Sequence, residues 1–465
     1  MLLLTISISA KVTLPRVIDS KMVLQQQSEV KLWGWSDKKE VTITTSWNNK
    51  KYKVKVSDGR WQTVVQTPKG SFESQTITIA DADSKQKLTD VLIGEVWICS
   101  GQSNMEMELR GRSGQPTDGA LEQIMHAGEM AQRIHFITVP RDDSGKLRET
   151  FDKVQWEQAS PATAPYCSAA AWYFATHVTR TLNIPVGLVI NSWGGSQIES
   201  WMTEAALRRV EGLDVTAAQS DKLKANRRAT MLYNTMHTPI RGYTAKGFLW
   251  YQGESNVFNA HLYAALMREM VSLWRTDWGN QDMPFIYVQI APHRYKDSQK
   301  RDAAMLREAQ EKALKLIPRS WMISTTDIGN EGCIHPAQKD AVGLRLATVA
   351  LSRVYGVKGL PAEGPRMKQV DYQDGKAIVT FDGATLNTLL TQADGFEIAG
   401  ADCVFHPAKI SFIKRNGLYE LSVSSDAVAQ PVAVRYAFRN FTPGTMLTDV
   451  YGIGVFPFRT DDWDK

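Results

Sequence analysis

Apolar and polar residues alternate in short segments from Lys11 to Val91, and these segments are rich in β-branched and aromatic residues. Alternation at every second position is typical of strands that bury one face, and turn pairs such as Asp58-Gly59 separate several segments. The pattern predicts a small N-terminal β-sandwich over residues 11–91. Its predicted strands are Lys31–Trp35, Val41–Trp47, Lys51–Val56, Trp61–Thr67 and Gln75–Ala80.

Nearly continuous apolar runs replace this alternation after Val91. Such runs suit strands that are buried on both faces of a parallel sheet. Segments with helical periodicity lie between several of the runs, so the pattern predicts a doubly wound α/β domain over residues 92–356. The predicted strands are Val91–Ser100, Ile134–Val139, Val186–Asn191, Gly247–Gln252, Phe285–Ala291 and Trp321–Thr326, and the predicted helices are Ser168–Leu182, Leu262–Trp274, Ala303–Leu316 and Lys339–Tyr355.

Both ends of the chain differ from this α/β region. Alternating segments return after Pro361 without helical patterns, which predicts a C-terminal β-rich unit over residues 357–465. Its predicted strands are Gln369–Gln373, Ala377–Phe381, Lys409–Ile413, Tyr419–Val423 and Val432–Phe438. The first ten residues, MLLLTISISA, are apolar and end in small residues. We interpret residues 1–10 as a shortened signal peptide and expect a secreted or periplasmic protein.

Composition excludes several classes of protein. Of the 465 residues, 43% are hydrophobic and 22% are charged, which is typical of a folded globular chain and not of a disordered one. The net charge of +5 is spread along the chain, so we expect no nucleic-acid partner. No apolar run is long enough to span a membrane. The four cysteines are scattered and no HExxH motif is present, so we expect neither a metal nor another cofactor.

Candidate catalytic residues lie at or after the carboxyl ends of four predicted strands. Ligands of an open α/β sheet bind beyond the carboxyl ends of its strands. Ser103 follows the first strand, a glycine pair at 194–195 follows the third, Gln252 ends the fourth, and His335 follows the sixth. A nucleophile, hydrogen-bond donors for an oxyanion and a base are the parts that an acyl-transfer site needs.

Several motifs together resemble one known family. GQSNM at 101–105, WGGS at 193–196, WYQGESN at 250–256 and IHP at 334–336 are similar to the sialate O-acetylesterase group of SGNH hydrolases. The resemblance extends from Met22–Gln25 to Phe458–Asp461 and so covers nearly the whole chain. It implies an SGNH-hydrolase-like doubly wound sheet, flanked by β-rich units, that removes O-acetyl groups from carbohydrate.

The resemblance also implies a role for each site residue. Ser103 would be the nucleophile and His335 its general base. The backbone N–H groups of Ser103 and Gly195 and the side-chain amide of Gln252 would hold the oxyanion. On sequence alone, Gly194 is an equally good donor.

One position departs from the family pattern. Many members carry Asp two residues before the histidine, whereas this chain has Cys333, and a thiol cannot hold an imidazole as a carboxylate does. Three interpretations remain open. A backbone carbonyl near Cys333 accepts the Nδ1 proton of the histidine, Asp327 or Glu331 supplies a carboxylate, or the enzyme is impaired.

Other candidates have weaker claims on the site. His293 also follows a strand and is the rival of His335 as the base. We expect Glu254 to fix the loop that aims Gln252, and we expect Trp193 and Trp201 to form part of the pocket wall.

The leading substrate is O-acetylated sialic acid, whose carboxylate Arg110 or Arg294 could bind. The alternative enzyme is an acetylesterase acting on xylan or xyloglucan. The alternative from another class is a glycan-binding module with a decayed hydrolase core, for which the thiol at position 333 and the two β-rich units would be the reason.

Overall fold

The computed structural model describes residues 11–361, 363–382, 385–390, 392–415 and 418–463, so the predicted signal peptide at 1–10 lies outside the described residues. The five predicted N-terminal strands are confirmed, and β2 and β5 form an antiparallel ribbon beside the sheet that contains β3, β4 and β6. Alternate residues of β3 are buried, as the pattern predicts. The strands of this part are β1 (Val23–Gln25), β2 (Glu29–Trp35), β3 (Glu40–Thr45), β4 (Lys51–Lys55), β5 (Arg60–Gln66), β6 (Ser71–Ala80) and β7 (Lys85–Gly101).

Strand β7 joins the N-terminal unit to the α/β region without a break. Its first half pairs antiparallel with β6, and its second half pairs in parallel with two strands of the central sheet. Every residue from Val91 to Gly101 is buried, whereas residues before Val91 are mostly exposed or half-buried. The predicted boundary between residues 91 and 92 therefore lies inside one continuous strand.

The central sheet has the strand order β13-β12-β11-β7-β10-β8-β9. All neighbours are parallel except β8 and β9. Its strands are β7 and β8 (Ile134–Thr138), β9 (Glu157–Gln158), β10 (Val186–Ser192), β11 (Gly247–Tyr251), β12 (Phe285–Val288) and β13 (Ser320–Ile323). The α-helices are α1 (Ser103–Glu106), α2 (Ala120–Met125), α3 (Ala169–Leu182), α4 (Glu204–Leu207), α5 (Val215–Ala218), α6 (Ala260–Trp278), α7 (Asp302–Leu316) and α8 (Lys339–Val349).

The sheet is covered on both faces, as expected of a doubly wound domain. Phe248 and Trp250 of β11 pack into the core that contains residues of α6 and α7. Leu249 and Tyr251, which point to the other side, pack into the core that contains residues of α3 and α8. Shorter 3₁₀ segments are Ala127–Met130, Ala164–Tyr166, Ile198–Trp201, Ala225–Arg227, Thr238–Ile240 and Glu254–Asn259, and π-helical turns are Tyr233–His237 and Ala350–Val354.

The C-terminal unit contains two four-stranded antiparallel sheets, of order β14-β15-β19-β18 and β17-β16-β20-β21. It packs against α7 through ion pairs of Arg459 with Glu308 and of Arg366 with Glu311. The strands are β14 (Arg366–Gln373), β15 (Lys376–Asp382), β16 (Phe396–Ala399), β17 (Phe405–Pro407), β18 (Lys409–Arg415), β19 (Leu418–Ser424), β20 (Ala433–Tyr436) and β21 (Phe458–Arg459).

Within the described residues, none of the helices combines the length and the apolar composition that a membrane crossing requires.

Candidate active site

Three neighbouring strands bring the predicted site residues to one edge of the sheet. Strand β7 ends at Gly101, paired with Ser192 at the end of β10 and with Tyr251 at the end of β11. Gly101 has φ +143°, and a Cβ at this position would collide with the carbonyl oxygen of Tyr251. Only glycine fits this turn, which leads directly to Ser103 as the first residue of α1.

Ser103 and His335 meet although they are 232 residues apart. The Oγ of Ser103 lies 2.7 Å from the Nε2 of His335, which is hydrogen-bond distance. Both side chains are half-buried, so solvent-borne molecules can reach them. This is the contact that a serine nucleophile and its base require.

The environment of His335 favours its neutral form. Partial burial is the main cause that lowers the pKa of His335 to about 4, and the positive charges of Lys339 and Arg112 lower it further. The imidazole is therefore uncharged at neutral pH and can accept a proton from Ser103.

The Nδ1 atom of His335 faces a side chain that the sequence did not indicate, because Gln115 Oε1 lies 3.0 Å away. The structure contradicts the acceptors predicted for this contact, a backbone carbonyl near Cys333 and the carboxylates of Asp327 and Glu331, because Nδ1 faces Gln115. The thiol of Cys333 donates to the His335 carbonyl oxygen at 3.2 Å. Asp327 forms two hydrogen bonds with the Arg345 guanidinium, at 2.8 and 2.6 Å.

The other carboxylate and the rival histidine have different surroundings. Glu331 is exposed, and its carbonyl oxygen accepts the N–H of Arg294. The Nδ1 of His293 lies 3.2 Å from the carbonyl oxygen of Asn330. Of the described histidines, His335 is the one that contacts Ser103.

Two backbone N–H groups near Ser103 are available to an oxyanion. The N–H of Ser103 begins α1, and neither it nor the N–H of Gly195 donates to another described residue. The N–H of Gly194, in contrast, donates to Glu106 Oε2 at 3.1 Å. The geometry therefore favours Gly195 over Gly194, which the sequence left undecided. The Asn226 amide donates to the Gly194 carbonyl oxygen at 2.6 Å and so polarises the peptide that carries the Gly195 N–H.

The Gln252 side-chain amide already donates hydrogen bonds to other residues. It is fully buried and donates to the Ser196 carbonyl oxygen at 3.0 Å and to Asn256 Oδ1 at 2.8 Å. Asn256 Oδ1 also accepts the backbone N–H of Ile198, which fixes the orientation of both amides. Donation from Gln252 to an oxyanion, as the sequence predicts, would first require the release of one of these bonds.

Asn104 connects the serine turn to the histidine loop. Its Nδ2 donates to Glu254 Oε1 at 2.5 Å and to the Ile334 carbonyl oxygen at 3.1 Å. Its Oδ1 accepts from the Lys339 ammonium at 2.7 Å, and Lys339 also donates to the Pro336 carbonyl oxygen. Burial lowers the pKa of Lys339 to about 7 and raises the pKa of Glu254. Glu254 therefore joins its own loop to the serine turn through Asn104.

Several arginines surround the opening of the site. Arg112 and Arg141 form ion pairs with Glu106, and the Nε of Arg227 donates to the Gly195 carbonyl oxygen at 3.2 Å. Arg110, a predicted carboxylate ligand, forms an ion pair with Glu108 at 2.7 Å. Arg227 has no ion-pair partner among the described residues.

The two tryptophans that we expected in the pocket wall differ. Trp193 is half-buried, with the Arg141 guanidinium above its ring, whereas Trp201 is fully buried and donates to Ser196 Oγ. Trp193 can therefore contact a bound molecule, while Trp201 supports the glycine loop from the core. In the described part of the chain, no group of three or more His, Cys, Asp or Glu side chains could hold a metal ion.

Sequence reasoning missed three residues of this site. Asn104 and Lys339 lie within the motifs at 101–105 and just after 334–336, but their role depends on a contact between those motifs. Gln115 lies in a Gly- and Pro-containing stretch that reads as an ordinary loop. Its proximity to Ser103 in sequence was the available signal, but an amide carries no charge that would suggest a partner for histidine.

The parallel sheet and the flanking β-rich units define the class of protein, an α/β fold of the SGNH-hydrolase-like type. Residues 93–352, more than half of the chain, match the family described as "Carbohydrate esterase, sialic acid-specific acetylesterase". The chain belongs to this family and is a carboxylic ester hydrolase.

Curated and solved relatives agree with this assignment. The sialate O-acetylesterase of Mus musculus is 28% identical over 90% of this chain and 88% of its own length. The sialate O-acetylesterase of Homo sapiens is 29% identical over 78% of this chain and 75% of its own length. The crystal structure of a carbohydrate acetylesterase from Xanthomonas citri is 32% identical, with a TM-score of 0.86, and the match covers 97% of this chain and 100% of that one.

Proposed function

We propose that this protein removes O-acetyl groups from carbohydrate by Ser–His catalysis through an acetyl-enzyme, with O-acetylated sialic acid as its leading substrate. The observation that carries the mechanism is the 2.7 Å hydrogen bond between Ser103 Oγ and His335 Nε2. The neutral state of the imidazole supports its role as a base at the pH where such esters are stable.

The first half-reaction acylates the serine. Ser103 Oγ attacks the acetyl carbonyl carbon while its proton moves to His335 Nε2. The resulting oxyanion accepts hydrogen bonds from the N–H groups of Ser103 and Gly195. Collapse of the tetrahedral intermediate breaks the bond to the sugar oxygen, which takes the proton from Nε2 and leaves as a hydroxyl.

The second half-reaction releases acetate. Water attacks the acetyl-Ser103 carbonyl carbon as Nε2 takes one of its protons. Collapse then breaks the bond to Ser103 Oγ, which recovers the proton from Nε2. In this proposal Gln252 first holds the loop at Ser196, and it becomes a third oxyanion donor only if it exchanges one of its present bonds.

The substrate choice rests on the family and on charge. The family description and the curated relatives name sialic acid, and Arg227 lies beside the Gly195 carbonyl oxygen without a carboxylate partner among the described residues. A sialic acid carboxylate would supply that partner. Arg227 therefore replaces Arg110, which is paired with Glu108, as the proposed carboxylate ligand. Arg294, the other predicted ligand, is exposed and stays a candidate.

An acetylated polysaccharide such as xylan is the second candidate. The observation in its favour is the Xanthomonas citri relative, which is described more broadly as a carbohydrate acetylesterase and is similar over almost the whole chain. Acetate release from a panel that includes an O-acetylated sialoglycan and an acetylated xylan separates the two. An Arg227→Met variant should lose activity only on the sialoglycan if the first candidate is right.

The catalytic proposal is tested with Ser103→Ala on 4-nitrophenyl acetate and on the same glycans. We expect turnover to fall by about 10⁴-fold or more, whereas Ser113→Ala, which changes an exposed serine in a nearby turn, should behave like wild type. If wild type hydrolyses neither the chromogenic ester nor any glycan faster than Ser103→Ala, the proposal fails and the glycan-binding alternative takes its place.

A further inference from the structure

We propose that Gln115 is the positioning residue of this site, and that its side-chain carbonyl oxygen holds His335 in the way that a carboxylate does in a Ser–His–acid triad. This inference rests on the proposed function. It adds a residue that stands 12 positions after Ser103 in the chain and outside every motif of the family resemblance.

The two hydrogen bonds of the imidazole fix its working tautomer. To accept the Ser103 proton, Nε2 must be unprotonated. In the neutral imidazole ring, the hydrogen is then on Nδ1. That hydrogen needs an acceptor, and Gln115 Oε1 lies 3.0 Å from Nδ1. Gln115 therefore accepts a hydrogen bond from the base His335, and His335 in turn contacts the nucleophile Ser103, which is the arrangement of a catalytic triad.

No carboxylate competes for Nδ1 among the described residues. Asp327 is held by Arg345, and Cys333 at the family's acidic position turns its thiol to the His335 carbonyl oxygen. An Nδ1–H group that is partly withdrawn from water needs a hydrogen-bond acceptor, and the Gln115 side-chain oxygen provides one. Gln115 supplies the acceptor from a different part of the chain.

The loop that carries Gln115 is anchored well enough for this task. Arg112 and Gln115 exchange two backbone hydrogen bonds, at 2.9 and 2.8 Å, across the turn 112–115. Three residues further on, the N–H of Asp118 donates to the Ala337 carbonyl oxygen at 3.0 Å. The loop is therefore fixed at its own turn and also to the segment that follows His335.

An amide differs from a carboxylate in one measurable way. A carboxylate beside Nδ1 stabilises the imidazolium and raises its pKa, whereas a neutral carbonyl does so far less. The low pKa of His335, about 4, agrees with a site in which the acceptor is uncharged. Introducing a negative charge at position 115 should therefore change the acid side of the pH–rate profile.

The experiment compares Gln115→Ala and Gln115→Glu with wild type on 4-nitrophenyl acetate from pH 3 to 8. We expect Gln115→Ala to lower kcat by about 10- to 100-fold with little change in KM, because His335 loses its orientation while substrate binding is unaffected. We expect Gln115→Glu to retain activity and to raise the acidic apparent pKa of kcat/KM by about 1–3 units. A merely structural role would not move that pKa.

Gln338→Ala is the matched control, because this exposed glutamine lies on the histidine loop and caps α8 without a side-chain hydrogen bond. It should match wild type in kcat and in pH profile. Thermal unfolding of each variant separates loss of orientation from loss of fold.

The inference is overturned if Gln115→Ala keeps kcat within about twofold of wild type, or if Gln115→Glu leaves the acidic pKa unchanged. Failure of the proposed function looks different, because Ser103→Ala would then be as active as wild type. A chain in which Ser103→Ala is inactive and Gln115→Ala is fully active refutes only the role of Gln115.

Discussion

Asp327 provides the sharpest test of whether an acid near the histidine in sequence serves stability or catalysis in this site. Replacing it with asparagine removes the charge but keeps the size of the side chain. In the structure Asp327 accepts two hydrogen bonds from Arg345, and the side chains are only 15% and 8% exposed. We expect Asp327→Asn to destabilise the protein and to leave turnover within about threefold of wild type.

The magnitude follows from the bonds that asparagine cannot make. Its Oδ1 can still accept one guanidinium N–H, but its amide nitrogen would face the second donor. Loss of one charge-assisted bond, together with an Arg345 charge that keeps only neutral acceptors (the asparagine Oδ1 and the carbonyl oxygens of Ser324 and Gly452), should cost about 2–4 kcal/mol. For a chain of 465 residues that unfolds as one unit, a loss of this size should lower Tm by about 2–4 °C.

The assay combines differential scanning calorimetry with kcat/KM on 4-nitrophenyl acetate at 25 °C. Glu331→Gln is the control, because this carboxylate is exposed and its loss should change the free energy of unfolding by less than about 0.5 kcal/mol. A fall in turnover of about 10³-fold with an unchanged Tm would refute the reasoning and would return Asp327 to a catalytic role.

Two further predictions concern the base and the glycine pair. The lowered pKa of His335, about 4, leaves the base unprotonated above that pH. The kcat/KM of wild type should therefore be nearly constant from pH 5 to 7 and should decline only as the pH falls through about 4. A decline centred near pH 6.5, the ordinary pKa of histidine, would contradict the environment described for His335. A Cβ on Gly194 would lie 2.9 Å from Glu106 Oε2 and 3.2 Å from Ser103 Cβ, so Gly194→Ala should displace Ser103 and lower kcat by about 10²-fold. Gly128→Ala adds a Cβ with nothing within 4 Å and should match wild type; equal kcat values for the two variants would show that the crowding at 194 is harmless.

Periodicity predicted most of the fold because burial differs between its parts. The continuous apolar run from Val91 and the alternation in Val41–Thr45 correspond to a strand buried on both faces and a strand buried on one. Strands β16 and β17 were missed because they are short, and β17 has no fully buried residue to mark it. The continuity of β7 was missed because the change from alternating to continuous apolar residues near Val91 predicted a domain boundary, although one strand can pass from a half-exposed to a buried environment.

The site was predictable where single residues carry the chemistry. Ser103 and His335 come from motif-bearing strand ends, and the structure brings them into contact. What an amide or N–H donates to depends on neighbours that are distant in sequence. The commitment of Gly194 to Glu106 and of Gln252 to Ser196 and Asn256 therefore could not be derived from spacing.

The continuity of β7 has a consequence for how the molecule can be divided. Its hydrogen bonds to β6 lie in the same strand as those to β10 and β11, with Ser103 two residues beyond the strand's end. Cutting the chain near Val91 would divide β7, leave the second half of the strand without its first half, and remove part of the strand that positions Ser103. The N-terminal unit and the catalytic region thus share one strand, so removing either would leave backbone hydrogen-bonding groups of the other without their partners.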